Sequence, residues 1–366
     1  MLSRKNGRLI AFSLFSVFLF CLLPVAETAA ETPLITGSPT IDQPLLLNWP
    51  RDVNPVKLPD LTEPTANRTF DLHASIGACD LVLSTAGNYH MALRDLWYDA
   101  FLPRAAANGI VLRNWIYTTS PPISPEQIAN RHLGTGNFQT QCRPQVAVGP
   151  KKLMDTLEDP IGNFNFAEGP RVSIFKNRGN VILVKKGNPK NIQSIWDLGR
   201  VDVRVVTSNP YQEPGSFGNY RDSIYNIALN DPAHPPEHAA RLFNAIFNNT
   251  TVRGKWLSGT RIHHKEVPYS IAYGHADAGL LFYHLAVHAV RTFPDLFTIV
   301  PLGGTIRDPV PLAGNKVGEL FAIRIIGPWS PAQKEARELL MKALQTDVFT
   351  TILHNHGLDR PYYPYP

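Results

Sequence analysis

The sequence predicts an α/β fold built on open sheets, and three observations lead there. Short apolar, β-favouring runs recur along the chain, at residues 80–84, 110–117, 145–149, 180–185, 201–206 and 278–282. Several are followed by helical apolar spacing: Leu93, Leu96, Trp97, Ala100 and Phe101 stand at i, i+3, i+4, i+7 and i+8. Between run and helix lie small polar residues, glycines and prolines, the composition of strand-to-helix turns.

The clearest junction is Leu81-Val82-Leu83-Ser84-Thr85-Ala86-Gly87-Asn88-Tyr89. A strand ending there and a helix starting there offer unpaired N–H groups and the positive end of the helix dipole to the space above. Ser84 and Thr85 would add hydroxyls, making a pocket for a small anion or polar group. An ordinary βα turn has the same composition, because such junctions occur in every open α/β sheet.

The remaining elements follow in order. The run at 110–117 ends at Thr118-Thr119-Ser120, and Pro121-Pro122 closes it. Ser124-Pro125-Glu126-Gln127 then reads as an N-cap with proline at the first helical position. Gly134-Thr135-Gly136-Asn137 leads to Cys142 and the strand at 145–149, and a helical patch carries Leu153, Met154 and Leu157. After the strand at 180–185, Gly187-Asn188-Pro189 turns into a short helix at Ile195-Trp196-Asp197-Leu198. The strand at 201–206 ends in Thr207-Ser208-Asn209-Pro210, and Pro214-Gly215-Ser216 opens a helix with free N–H groups. Ala278-Gly279-Leu280-Leu281-Phe282-Tyr283 reads as a buried strand ending in a tyrosine. Strands at 298–301 and 320–325 and an amphipathic helix from Ser330-Pro331 complete the series.

Residues 1–30 carry the pattern of a secretory signal: Arg4, Lys5 and Arg8, an apolar run from Leu9 to Val25, then Thr28-Ala29-Ala30 for cleavage near Ala30. An uncleaved anchor is the rival, since the run approaches spanning length. Pro24 and the small residues after it favour cleavage. Without residues 1–30 the chain has 32 basic and 29 acidic residues, a net charge of about +3. No basic run is interleaved with aromatics, so nucleic acid is not an expected partner. Residues 31–75, rich in proline and polar side chains, read as an extended arm. Cys79 and Cys142 remain after cleavage, an even pair that in an exported protein is most simply a disulfide. Each precedes a strand, and parallel neighbouring strands would bring the sulfurs together. Two free buried thiols are the alternative. No HExxH, P-loop, glycine fingerprint or nucleophile elbow is present, so no enzyme, cofactor or catalytic residue is expected. His263 and His264 sit in a polar segment, and nothing in their spacing requires a metal.

The ordered series of junctions resembles the periplasmic solute-binding proteins of ABC transporters, of the type II fold, most closely the molybdate branch. It consists of Ser84-Thr85-Ala86-Gly87-Asn88, Thr118-Thr119-Ser120, the strand 180–185 with Gly187-Asn188-Pro189, Pro214-Gly215-Ser216, Ala276-Asp277-Ala278 and His356-Gly357-Leu358. The resemblance covers residues 79–361. It implies two α/β lobes, each a mixed, mostly parallel sheet flanked by helices: 76–182 with 325–366, and 183–324. Hinge strands near 180–185 and 320–324 would join them, and ligand would be clasped in the cleft between. Matching the family, the ligand residues are Ser84, Thr85, Gly87, Asn88, Thr118, Thr119, Ser120, Pro214, Gly215, Ser216 and Tyr283. His263-His264-Lys265 lies where another ligand-facing segment is expected. The implied protein is a periplasmic monomer that takes a small oxyanion and delivers it to an inner-membrane permease. The other class left open is a periplasmic accessory or metal- or organic-ligand-binding protein without oxyanion transport.

Overall fold

The computed structural model describes residues 45–46 and 79–361, apart from 86, 113–114, 117–124, 130–132, 136–137, 141, 160–163, 212 and 260–262. Thr118, Thr119 and Ser120, the signal sequence and most of the arm therefore lie outside the described residues.

Two six-stranded mixed sheets organise the chain. The first contains β2 (Leu81–Ser84), β3 (Trp115–Ile116), β6 (Val146–Pro150), β7 (Val172–Asn177), β13 (Glu319–Arg324) and β14 (Leu358–Asp359). Its order is β14-β7-β13-β6-β2-β3, with β2 parallel to both neighbours. The second contains β1 (Leu45–Leu46), β8 (Asn180–Lys185), β9 (Val205–Thr207), β10 (Trp256–Ser258), β11 (Ala278–Phe282) and β12 (Phe297–Val300). Its order is β1-β10-β9-β11-β8-β12, parallel from β1 through β11 and antiparallel beyond. A separate hairpin pairs β4 (Leu133–Thr135) with β5 (Phe138–Thr140).

Burial explains why these runs form strands. All five residues of β11 and the first five of β8 are buried, as expected for strands covered on both faces. Helices α7 (His263–Ala272) and α8 (Tyr283–Thr292) pack on them, while α5 (Pro214–Leu229) and α6 (Glu237–Phe247) pack together beside the turn at Ile195–Gly199. Around the first sheet stand α4 (Lys151–Leu157), α9 (Pro331–Ala343) and α10 (Asp347–Asn355), with the short α3 (Pro125–Ala129) next to the hairpin. Ser330 and Gln333 form the reciprocal capping box that starts α9.

The helical stripe from Leu93 to Phe101 is real and fully buried at Leu93, Leu96, Trp97 and Phe101. The helix is not uniform. Between α1 (His90–Asp95) and α2 (Leu102–Ala107), residues Leu96–Phe101 form a wider π turn, closed by Leu102 N–H donating to the Trp97 carbonyl. Pro103 supplies the cause: it has no N–H for the Asp99 carbonyl and its ring crowds that oxygen.

Cys79 and Cys142 are joined by a disulfide with Cα atoms 5.6 Å apart. The geometry behind it is the parallel pairing of β2 with β6, where Leu83 faces Val146. Gln145 extends that pairing with its side chain, accepting from the Val82 N–H at 2.7 Å and donating to the Asp80 carbonyl at 3.2 Å.

Several boundaries depart from the sequence expectation, β3 shrinking to Trp115–Ile116 among them, and two of them have a visible cause. The strand expected at 201–206 begins only at Val205. Upstream, the buried Lys255 ammonium collects the carbonyls of Leu198 and Arg200, each at 2.6 Å, and that of Val203. Curling three carbonyls around one cation makes residues 200–204 a loop and leaves Val201 71 % exposed. Burial draws the Lys255 pKa down to about 8, opposed by the charges of Asp202 and Asp277. At the other boundary, Tyr283 is the first residue of α8 instead of the last of a strand, its N–H donating to the Gly179 carbonyl at 3.0 Å.

Candidate functional site

The chain passes from the first sheet to the second between Asn177 and Asn180 and returns through residues 315–319. Three asparagines bind these two passages together. Asn315 accepts from the Asn180 N–H and donates to the Asn180 carbonyl, both at 2.9 Å, imitating one rung of a β ladder. Asn177 Oδ1 accepts from the N–H groups of Gly179 and Gly318, each at 3.0 Å. Gly179 has φ +75°, the left-handed region that glycine enters without a Cβ penalty. Asn180 Nδ2 then reaches Ser223 Oγ on α5 at 2.7 Å, coupling that helix to the crossover.

Parallel strands deliver their carboxyl ends to a common edge, and in the second sheet those ends are rich in hydroxyls. Ser258 closes β10, opposite Thr207 of β9, and Ser208 follows immediately. The Ser208 and Ser258 side chains are fully buried, and their hydroxyls have no hydrogen-bond partner among the described residues. Neighbouring groups are held in place. Thr207 Oγ1 accepts from Trp256 Nε1 at 2.8 Å, and Asn209 Nδ2 donates to the Gly259 carbonyl at 2.6 Å. The buried Glu266 carboxylate packs so closely on Gly259 that a Cβ there would lie 1.9 Å from Oε2. The loop beyond Asn209 leads into α5, where Pro214 and Gly215 are exposed and Ser216 is half-buried.

On the first sheet, Ser84 and Thr85 are buried at the carboxyl end of β2, and Gly87 and Asn88 start the turn that follows. Asn88 Oδ1 is buried with no partner among the described residues, while its carbonyl lies 3.1 Å from His284 Nε2 at the start of α8. The two halves therefore touch at this junction. Tyr89 stacks on His284 with centroids 5.0 Å apart, and Phe282 bridges His284 to Tyr220 of α5. Burial pushes the Tyr89 phenol up to about 12, against hydrogen bonds with Asn177 and Asn88 that lower it. Burial, reinforced by the charge of Glu213, raises Tyr220 as well. Both phenols stay protonated at physiological pH.

Sequence-expected residues thus fall into separate places. Ser84, Thr85, Gly87 and Asn88 share one strand-to-helix junction, which meets α8 of the other half. Pro214, Gly215 and Ser216 open α5 downstream of β9. The Tyr283 hydroxyl turns to the loop after β12, donating to the carbonyls of Ile306 and Arg307 at 2.9 and 3.3 Å. The sequence reading placed Ser208 and Asn209 in the turn after a strand without naming them as ligand residues, and it did not single out Ser258 or Tyr220. Ser208 was legible as the residue after a β run, whereas Ser258 ends a three-residue strand with no period to find. Among the described residues, no group of three or more His, Cys, Asp or Glu side chains could hold a metal ion.

The chain is similar to several solved structures. Peb3 from Campylobacter jejuni is 16% identical, with 77% of this chain and all 100% of that one covered and a TM-score of 0.46. The sulfate-binding protein SubI from Mycobacterium tuberculosis is 14% identical over 78% of this chain and 88% of that one, TM-score 0.47. The periplasmic molybdate-binding protein of Azotobacter vinelandii is 16% identical over 77% and 99%, TM-score 0.43. No curated protein matches in sequence. The family model described as bacterial extracellular solute-binding protein matches residues 146–359, more than half of the chain. With that span taking in both crossover passages and most strands of both sheets, the chain belongs to the bacterial extracellular solute-binding proteins.

Proposed function

We propose that this solute-binding protein captures a small oxyanion between its two sheets and delivers it to an ABC permease in the inner membrane. The observation that carries the reading is the pair of fully buried hydroxyls of Ser208 and Ser258 at adjacent parallel strand ends, without a partner among the described residues. A buried polar group without a partner costs about 1–3 kcal/mol, and a ligand oxygen accepting from it recovers that loss. Neutral hydroxyl and backbone donors suit an oxyanion, because they stabilise charge without a counterion that must be desolvated. Ser84, Thr85, Gly87, Asn88, the Pro214-Gly215-Ser216 helix start and Thr118, Thr119 and Ser120 are the further contacts proposed. Export by cleavage near Ala30 and action in the periplasm follow from the same proposal.

A thermal-shift panel tests it. Molybdate, tungstate, sulfate and phosphate are titrated against the full chain without its first thirty residues, beside divalent metals and small organic acids. An oxyanion at a hundred times its Kd stabilises by about 2.7 kcal/mol, a rise of several degrees. Stabilisation by a metal or an organic compound, with no response to any oxyanion, rejects the oxyanion reading.

A further inference from the structure

A cavity of about 360 Å³ opens at the opposite end of the second sheet, beside β12. Its floor is apolar, made by Val287 and Val290 of α8 and Ile299 of β12. Around it stand three guanidiniums: Arg178 on the crossover, Arg291 on α8 and Arg307 on the loop after β12. His354 and Gly357 close the wall from the side of the first sheet. Both halves of the fold therefore contribute, and they meet at Gly357, where an added Cβ would lie 2.9 Å from the Tyr283 ring.

Charge is not balanced here. Arg178 pairs with Asp359 at 2.6 Å and Asp308 at 3.2 Å, yet its Nε is buried with no acceptor among the described residues. Arg291 donates to the uncharged Asn355 carbonyl. Arg307 is exposed beside Ile306, itself 49 % exposed. Among the described residues, three cations thus face two carboxylates around an apolar floor, at a volume within the range of small-molecule sites.

We propose that this cavity binds a small organic carboxylate with an apolar body. The carboxylate accepts from Arg307 and Arg291, as planar guanidinium forks favour, and the body covers Val287, Val290 and Ile306. The site is separate from the strand-end pocket and stands whether or not that pocket binds an oxyanion.

Phenylacetate titrated by calorimetry and saturation-transfer NMR tests the proposal, with inorganic phosphate as competitor at constant ionic strength. Saturable binding is expected, weakened about tenfold or more in Arg307→Ala, whose exposed side chain carries no folding role, and in Val287→Trp, which fills the floor. Binding should persist in the Ser208→Ala, Ser258→Ala double variant. No saturable binding, unchanged affinity in Arg307→Ala, loss in the serine double variant, or equal displacement by phosphate would each overturn the assignment.

Discussion

Individual side chains divide into those that hold the fold and those left with work to do. Arg337, 3 % exposed, holds Glu168 by two parallel hydrogen bonds of 2.7 and 2.9 Å. That contact keeps the Glu168 carboxyl below its ordinary range, with burial opposing. The folded pKa is the lower one, so the contribution is complete above the unfolded value of 4.5 and fades as pH falls through the folded value. Glu168→Gln should cost about 1 kcal/mol at neutral pH, because Glu338 still reaches Arg337 at 3.2 Å. Melting curves of the two proteins from pH 7 downward should converge in acid; a gap constant to pH 3 would refute the assignment. Ser208 and Ser258 behave oppositely. Removing an unsatisfied buried hydroxyl leaves the ligand-free protein as stable or up to about 1 kcal/mol more so. Ser208→Ala with Ser258→Ala should therefore weaken ligand binding at least about tenfold without lowering the ligand-free melting point. A lower melting point in the absence of ligand would show that the hydroxyls serve the fold.

At the scale of elements, one lysine decides where a strand begins. Lys255 gathers the carbonyls of Leu198, Arg200 and Val203, so the loop before β9 is wound around a cation that sits just ahead of β10. Hydrogen bonds to a charged group contribute about 1.5–3 kcal/mol each when a partner is deleted. Lys255→Met should cost about 3 kcal/mol or more in chemical denaturation and raise amide exchange across residues 198–205. A loss under 1 kcal/mol would mean the loop holds its shape unaided. The apolar run at 201–206 announces a strand, and local propensity gives no hint of the lysine fifty residues on that overrides it. The π turn at Leu96–Phe101 is the reverse case: Pro103 was present to announce it, and the apolar spacing alone concealed it.

Across the whole molecule, the proposed capture of ligand requires any opening and closing to be absorbed by the two passages between sheets. Asn315 and Asn180 lock the passages side by side with a pair of backbone-like hydrogen bonds, and Ser223 ties α5 to them. Asn315→Ala should lower stability by about 2 kcal/mol. It should also speed ligand association and dissociation together in stopped-flow traces, with affinity held within about threefold, because the hinge is loosened without touching the strand ends. An affinity loss with unchanged rates of association would place Asn315 in the site.

Much was legible in the sequence: alternating runs and junctions implied α/β sheets, and the cysteine pair lay ahead of two strands that prove parallel neighbours. These are local signals, carried by periodicity and by turn residues that act within a few positions; the solute-binding fold came instead from the resemblance of the whole ordered series to a known family. The unsatisfied hydroxyls, the lysine that ends a strand's reach and the arginine-ringed cavity were not legible. Each depends on groups distant in the chain, Lys255 with Leu198, Asn315 with Asn180, Arg178 with Arg291 and Arg307. Only burial decides whether such a group is matched or left waiting, and burial is set when both sheets and their helices have closed around it.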